Sequence, residues 1–72
     1  MKKNELKDND ILVFKNNHSA VLSASNHYRI DKFYDDDLNC ITDDNYSIAK
    51  VYRPVYQVVY ERENVKGLQK NK

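Results

Sequence analysis

The chain has 72 residues, of which 32% are charged and 40% are hydrophobic, with one glycine, one proline and one cysteine. That length allows a single domain, and the scarcity of glycine and proline excludes a low-complexity chain. The net charge of +1 excludes both the strong basic excess of a dedicated DNA-binding protein and the strong acidic excess of a DNA mimic. The hydrophobic core of such a short chain contributes little stability on its own, so a homo-oligomer is one possible state of the protein.

The first predicted element is a β-hairpin over residues 10–25. Four consecutive apolar residues, Ile11 to Phe14, have the length and the β-branched and aromatic content of a buried strand. The Asn-Asn-His sequence of residues 16–18 is typical of a hairpin turn. Residues 19–24 then predict the return strand.

An irregular acidic segment follows the hairpin. Residues 26–30 predict a short third strand, with Tyr28 and Ile30 on one face. Residues 35–38 fit one helical turn, and residues 34–45 as a whole predict an acidic loop. Three apolar residues are expected to anchor that loop: Phe33, Leu38 and Ile41.

Two further strands complete the predicted sheet. Residues 47–53 and 56–62 have the composition of strands, and Pro54 between them fits a turn or a sheet edge. Residues 63–72 are polar and predict a solvated tail, so the domain spans residues 1–62. Five short strands favour an all-β fold, either a small SH3-like barrel or a strongly bent five-stranded antiparallel sheet.

Several short motifs are distributed over residues 6–62. They are a Leu-Lys-x-x-Asp frame at residues 6–10, Tyr-Asp-Asp-Asp-Leu at residues 34–38, Lys-Val-Tyr-Arg-Pro at residues 50–54, and Tyr60-Glu61-Arg62. Together they resemble segments of small, mostly uncharacterised phage and prophage proteins of low-GC bacteria, in which tryptophan is usual at the position of Tyr60. The resemblance implies a phage origin and a compact β fold, and it implies no catalytic residues. Such proteins are often host-takeover or anti-defence factors, including anti-CRISPR proteins.

Tyr52, Tyr56 and Tyr60 recur at intervals of four residues. Pro54 and the neighbouring valines disfavour a helix, and on an unbroken strand the three tyrosines share one face. The chain has two phenylalanines and no tryptophan, so we expect the tyrosines to fill the core. Two alternatives stay open: a stacking platform for nucleic-acid bases, or a turn at Pro54 that resets the alternation, with Tyr52 facing outwards and Tyr60 inwards.

Charge is distributed unevenly along the chain. Residues 31–45 contain six aspartates and one lysine, whereas residues 50–72 contain six lysines or arginines and two glutamates. An acidic loop suits contact with a basic partner surface, and the basic residues can contact phosphate or pair with nearby carboxylates. The candidate partner-binding residues are Asp35, Asp36, Asp37, Asp43, Asp44, Tyr52, Arg53 and Arg62.

The residue types of catalytic and metal sites occur without the required spacing. Cys40 is the single cysteine, and nothing in the sequence places it near His18 or His27. Residues 35–39 begin like a calcium loop, but its sixth position is cysteine and its twelfth is tyrosine. We expect no enzymatic activity, cofactor or metal, no membrane span, and a cytoplasmic location in a bacterial host.

The sequence therefore predicts a small non-enzymatic binding protein that is encoded by a phage. Its expected partner is a host or phage protein, and interference with a bacterial defence system is the specific form to test first. The alternatives are a weak nucleic-acid-binding β-barrel that uses Lys50, Arg53, Arg62 and the C-terminal lysines, and a structural component of a virion.

Overall fold

A computed structural model of the chain describes residues 1–55 and 57–63. Its elements in chain order are a 3-10 helix (Lys3–Glu5), β1 (Ile11–Phe14), β2 (Ser19–Val21), α1 (His27–Phe33), a second 3-10 helix (Asp44–Tyr46), β3 (Ile48–Arg53) and β4 (Gln57–Glu61). None of the helices in this part of the chain has the length and apolar character needed to cross a membrane.

The four described strands form one antiparallel sheet in the order β2-β1-β3-β4. The predicted hairpin and the two late strands are confirmed, as is the expectation of a small domain built mainly from an antiparallel sheet. The sheet is open, because β2 and β4 are edge strands, so the closed SH3-like barrel is not what these residues form. The all-β prediction also needs correction, because the fifth strand is replaced by helix α1.

The predicted third strand, residues 26–30, contains instead the cap and first turn of α1. The chain leaves the sheet after Val21, and the side chain of Asn26 holds the turn that follows. Its Oδ1 accepts the N–H of Ser23 at 2.7 Å, and its Nδ2 donates to the carbonyl of Val21 at 3.1 Å. The Ser23 N–H and the Val21 carbonyl are thus paired with a side chain and need no neighbouring strand to pair with.

The apolar spacing after residue 29 fits a helix better than a strand. Ile30, Phe33 and Tyr34 are three and four residues apart, which places them on one helical face, and all three contact the core. Ile30 is 7% exposed and Tyr28 is 57% exposed, so these two residues do not share a buried face as the strand prediction required.

A β-bulge decides where the tyrosines of β3 and β4 lie. Val51 is opposite Tyr60 and Tyr52 is opposite Val58, so Val59 is an extra residue in β4. The extra residue reverses the alternation of side chains along the strand. Tyr60 packs against the core, whereas Tyr52 and Val58 belong to the other face of the sheet.

The prediction that Tyr52 shares a core face with Tyr60 is therefore wrong. The two tyrosines face opposite sides of the sheet, as in the alternative, but the bulge at Val59 and not the turn at Pro54 separates them. Tyr56 lies outside the described residues. So does the predicted tail, except for Glu63.

The core lies between one face of the sheet, which we call the inner face, and the layer formed by α1 and the acidic loop. Its buried apolar side chains are Leu6, Leu12, Leu22, Ile30, Tyr34, Leu38, Ile48 and Val51. Of the predicted loop anchors, Leu38 is fully buried and Phe33 packs at the margin of the core, but Ile41 is 65% exposed and anchors nothing.

Residues 35–38 form a hydrogen-bonded turn and not a helix. The Leu38 N–H donates to the Asp35 carbonyl at 3.1 Å, and Leu38 has a φ of 69°. A left-handed leucine costs roughly 1 kcal/mol or more. Complete burial of its side chain offsets that cost and fixes the loop against the core.

Candidate functional site

Asp35 uses its carboxylate to hold the acidic loop together. Its Oδ1 accepts the N–H groups of Asp37 (2.9 Å) and Asn39 (3.0 Å), and its Oδ2 accepts a bond from the amide of Asn39 (3.2 Å). The backbone hydrogen bond from Asn39 is the main reason that the pKa of Asp35 lies below its usual value. Asp35 is therefore a structural residue of the loop, whichever partner the loop meets.

Three other candidate aspartates also have intramolecular partners. Asp37 accepts from Lys2 Nζ at 2.7 Å, and Asp43 Oδ1 caps the second 3-10 helix by accepting the Asn45 N–H at 3.0 Å. Asp44 accepts from Lys15 Nζ at 2.9 Å, and this bond is the main cause of its lowered pKa. All three side chains remain at the surface, where such pairs contribute little to stability.

Asp36 differs from its neighbours. It is exposed, and its carbonyl accepts the N–H of Lys3 at 3.0 Å. Within the part of the chain that the structure describes, its carboxylate accepts no hydrogen bond.

Arg53 forms an ion pair inside the domain. Its Nε donates to Asp10 Oδ1 at 2.8 Å, and its Nη2 donates to Asp10 Oδ2 at 2.9 Å and to the Glu5 carbonyl at 3.2 Å. Asp10 is fully buried and also accepts the Lys7 N–H at 2.8 Å. Burial alone would raise the pKa of Asp10, but the bonds from Arg53 and Lys7 outweigh it and lower the pKa.

Arg62 connects the acidic loop to the sheet. Its Nε donates to the Ile48 carbonyl at 2.9 Å, its Nη1 to Asn39 Oδ1 at 3.0 Å, and its Nη2 to the carbonyls of Leu38 (3.2 Å) and Asp37 (3.3 Å). The guanidinium of Arg62, like that of Arg53, is thus occupied by intramolecular acceptors. A phosphate would have to compete with these acceptors for both arginines.

The structure places the eight candidate residues in different settings and does not bring them together as one site. Tyr52 lies on the face of the sheet that points away from the core, where Lys50 Nζ is 5.5 Å from its ring centroid. Lys50 is also 3.5 Å from Glu61 Oε2. The C-terminal lysines of the proposed nucleic-acid site lie outside the described residues. Its other members, Lys50, Arg53 and Arg62, already have intramolecular partners.

A groove of about 560 Å³ opens between helix α1, strands β1 and β2, and the second half of the acidic loop. Its floor reaches the core side chains Leu12, Leu22 and Ile30. The lining is more apolar than polar, and the volume falls in the range of about 300 to 1,000 Å³ that binding clefts occupy.

The rim of the groove carries exposed aromatic side chains at fixed positions. Tyr28 projects from α1 and is 57% exposed, and Arg29 Nε donates to its hydroxyl at 3.2 Å. Tyr46 stands on the opposite wall and is 40% exposed, with its ring 5.6 Å from that of Phe14 in an edge-on arrangement. The hydroxyl of Tyr34 beneath the rim donates to the Tyr46 carbonyl at 2.6 Å, and burial raises the pKa of Tyr34, which keeps it a donor.

The loop wall of the groove contains Cys40 and Thr42. Cys40 Sγ is 3.4 Å from Thr42 Oγ1. Burial raises the pKa of the thiol, but hydrogen bonds from Thr42 and from the Asp43 N–H together lower it. His27 lies 2.7 Å from Asp8 and His18 is stacked edge-on against Tyr46, so these described contacts do not join a histidine to Cys40.

Sequence reasoning missed the groove because its walls come from segments that are far apart in the chain. The residues it overlooked are Ala20, Tyr28, Arg29, Thr42 and Tyr46. The helical spacing of Ile30, Phe33 and Tyr34 was the one available signal, since a helix at this point would have implied a second layer on the sheet.

Comparisons with protein-family models, with curated proteins and with solved structures found no match to this chain. Within residues 1–55 and 57–63, no group of three or more histidine, cysteine or acidic side chains has the arrangement of a metal site.

Proposed function

We propose that this protein is a non-enzymatic binding protein whose groove receives an apolar side chain of a partner protein. The observation that carries the proposal is the apolar groove itself, with exposed tyrosines on two of its walls. Aromatic residues are enriched in the centres of protein interfaces, where a side chain buried in a pocket supplies much of the binding energy.

The charges around the groove define the chemistry of the partner. Asp43 and Asp44 come directly after the groove residue Thr42 in the sequence and lie outside the groove lining, whereas Arg29 lines the groove from the helix. The partner segment therefore presents a large apolar residue to the floor and a lysine or arginine towards the loop, which favours one orientation of binding. In this mode of binding, the acidic loop still contacts the partner, and it does so as one wall of the groove.

The proposed setting is a phage or prophage, with the protein acting in the cytoplasm of the bacterial host. The support for this part is the resemblance of the motifs at residues 6–10, 34–38 and 50–62 to those of small phage proteins. The partner is then a host protein, and a component of a bacterial defence system is the first class to test.

The proposal predicts that blocking the groove abolishes capture of the partner. Ala20 is exposed and lines the groove, so Ala20→Arg fills the site without burying a charge. Tyr28→Ala should weaken capture about tenfold, the equivalent of about 1.4 kcal/mol for one interface aromatic. Tagged wild type and variants are compared by affinity capture from host lysate, with and without nuclease treatment.

The matched control is Ala24→Arg, which adds the same side chain at an exposed position that does not line the groove. We expect a protein that survives nuclease treatment, binds the wild type and Ala24→Arg, and fails to bind Ala20→Arg. Equal capture by Ala20→Arg would remove the groove from the proposal. Capture that disappears on nuclease treatment would support the nucleic-acid alternative.

A further inference from the structure

The face of the sheet that points away from α1, which we call the outer face, carries an apolar row across all four strands. The row consists of Val21, Ile11, Tyr52 and Val58, each paired with the next by strand register. Val21 is 55% exposed and Val58 is 45% exposed. Val13 extends the apolar area in the adjacent row, where it is opposite Lys50.

This face is separate from the core and from the groove. Its apolar side chains are absent from the core cluster, which is built on the inner face around Leu12 and Val51. Six large hydrophobic side chains are exposed in the described part of the chain. One of them belongs to α1, one to the acidic loop, one to the second 3-10 helix, two to this row and one to the turn after β3.

We propose that the outer face binds a second copy of this chain and that the protein is a two-fold symmetric dimer. In a two-fold interface the same patch meets itself, so its charges must be self-complementary. The outer face carries Lys50 and Glu61 in one row. Lys50 and Glu61 lie 3.5 Å apart within one copy and cancel each other's charge, and across a two-fold axis Lys50 of each copy can also meet Glu61 of the other.

The dimensions of one copy leave room for only one layer on the sheet, so within the described part of the chain the outer face has no layer of its own chain over it. The molecule measures 35 × 30 × 19 Å, and 19 Å is the thickness of about two layers spaced roughly 10 Å apart, the sheet and the layer of α1 and the loop. A standard interface buries about 800 Å² on each partner, roughly one sixth of the 4861 Å² accessible surface. The broad outer face can supply that area, and the two grooves then lie on opposite outer sides of the dimer.

The test is the molar mass of the full chain in solution, measured by light scattering and by sedimentation over a range of concentrations. The dimer predicts twice the chain mass of 8.5 kDa. Val58→Lys places a like charge on both sides of the two-fold axis and should raise the dimer dissociation constant about tenfold or more. Val55→Lys is the matched control, because Val55 is 89% exposed in the turn that precedes β4.

Circular dichroism establishes that each variant is folded. If Val58→Lys does not fold, Val21→Lys tests the other end of the row. A monomeric wild type at all concentrations, or an unchanged dimer in folded Val58→Lys and Val21→Lys, would overturn the proposal, and a larger defined assembly would favour the virion alternative. Val58→Lys leaves the groove intact, and Ala20→Arg leaves the outer face intact. The two variants therefore test dimerisation through the outer face and partner binding through the groove independently.

Discussion

Replacing Asp10 with alanine is expected to lower the free energy of unfolding by about 3 kcal/mol. Asp10 is fully buried and accepts hydrogen bonds from Arg53 and from the Lys7 N–H. Removing one member of a buried ion pair generally costs about 3 to 5 kcal/mol. The lower figure applies because Arg53 is partly exposed and can regain water when its partner is lost.

Urea denaturation of wild type and Asp10→Ala at neutral pH measures this loss directly. The control is Asp8→Ala, since Asp8 is exposed and contacts only His27 through its side chain among the described residues. We expect Asp8→Ala to unfold close to the wild-type midpoint. A wild-type midpoint for Asp10→Ala would contradict the structural role assigned to the ion pair.

The same ion pair predicts how stability depends on pH. Because folding lowers the pKa of Asp10, its carboxylate stabilises the fold above its unfolded pKa of about 3.9, and that contribution disappears as the pH falls through the lower folded pKa. The wild type should therefore lose stability between about pH 5 and pH 2. Asp10→Ala should lose less over this range, while Asp35 and Asp44, whose pKa values are also lowered, keep part of the slope in both proteins.

Arg62→Ala is expected to destabilise the domain by about 2 to 3 kcal/mol and to open the acidic loop. The substitution removes bonds to the carbonyls of Ile48, Leu38 and Asp37 and to the side chain of Asn39. It removes one of the two hydrogen bonds to the carbonyl of Leu38, the residue with the left-handed φ, and leaves the bond from the Ile48 N–H at 3.0 Å. The loop should then be the first segment to be cleaved in limited proteolysis.

Arg62→Lys separates charge from geometry. Lysine keeps the positive charge but lacks the planar fork that reaches several acceptors at once, so most of the loss should remain. Arg29→Ala serves as the control, because Arg29 is exposed and, within the described part of the chain, its side chain donates a hydrogen bond only to the adjacent Tyr28. Equal urea midpoints for Arg62→Ala and Arg29→Ala would show that the bonds of Arg62 do not hold the loop.

The strands could be predicted from sequence because local composition determines them. The four apolar residues of β1 and the valine-rich segments around Pro54 indicate strands whatever surrounds them. Helix α1 was missed because Tyr28 and Ile30, two residues apart, imitate a strand, and only packing shows that Ile30 groups with Phe33 and Tyr34. The bulge at Val59 has no signal in composition, yet it decides which tyrosine faces the core.

The candidate site depended still more on long-range contacts. Arg53 and Asp10 are 43 residues apart, and neither residue type indicates that the other is its partner. The charge count correctly locates an acidic segment. The hydrogen bonds that Asp35 and Asp44 accept show, however, that such residues can stabilise the conformation of the loop instead of binding a partner. The groove brings together β2, α1 and the loop, so no local pattern could have predicted it.

Site-specific photocrosslinking in host cells tests the groove most directly. A benzophenone amino acid is placed at Thr42, on the groove wall, and in a separate variant at Val58, on the outer face. Binding through the groove predicts a crosslink from position 42 to a host protein, which Ala20→Arg abolishes, whereas position 58 gives no crosslink to that host protein. A host-protein crosslink from position 58 and none from position 42 would contradict the proposed function.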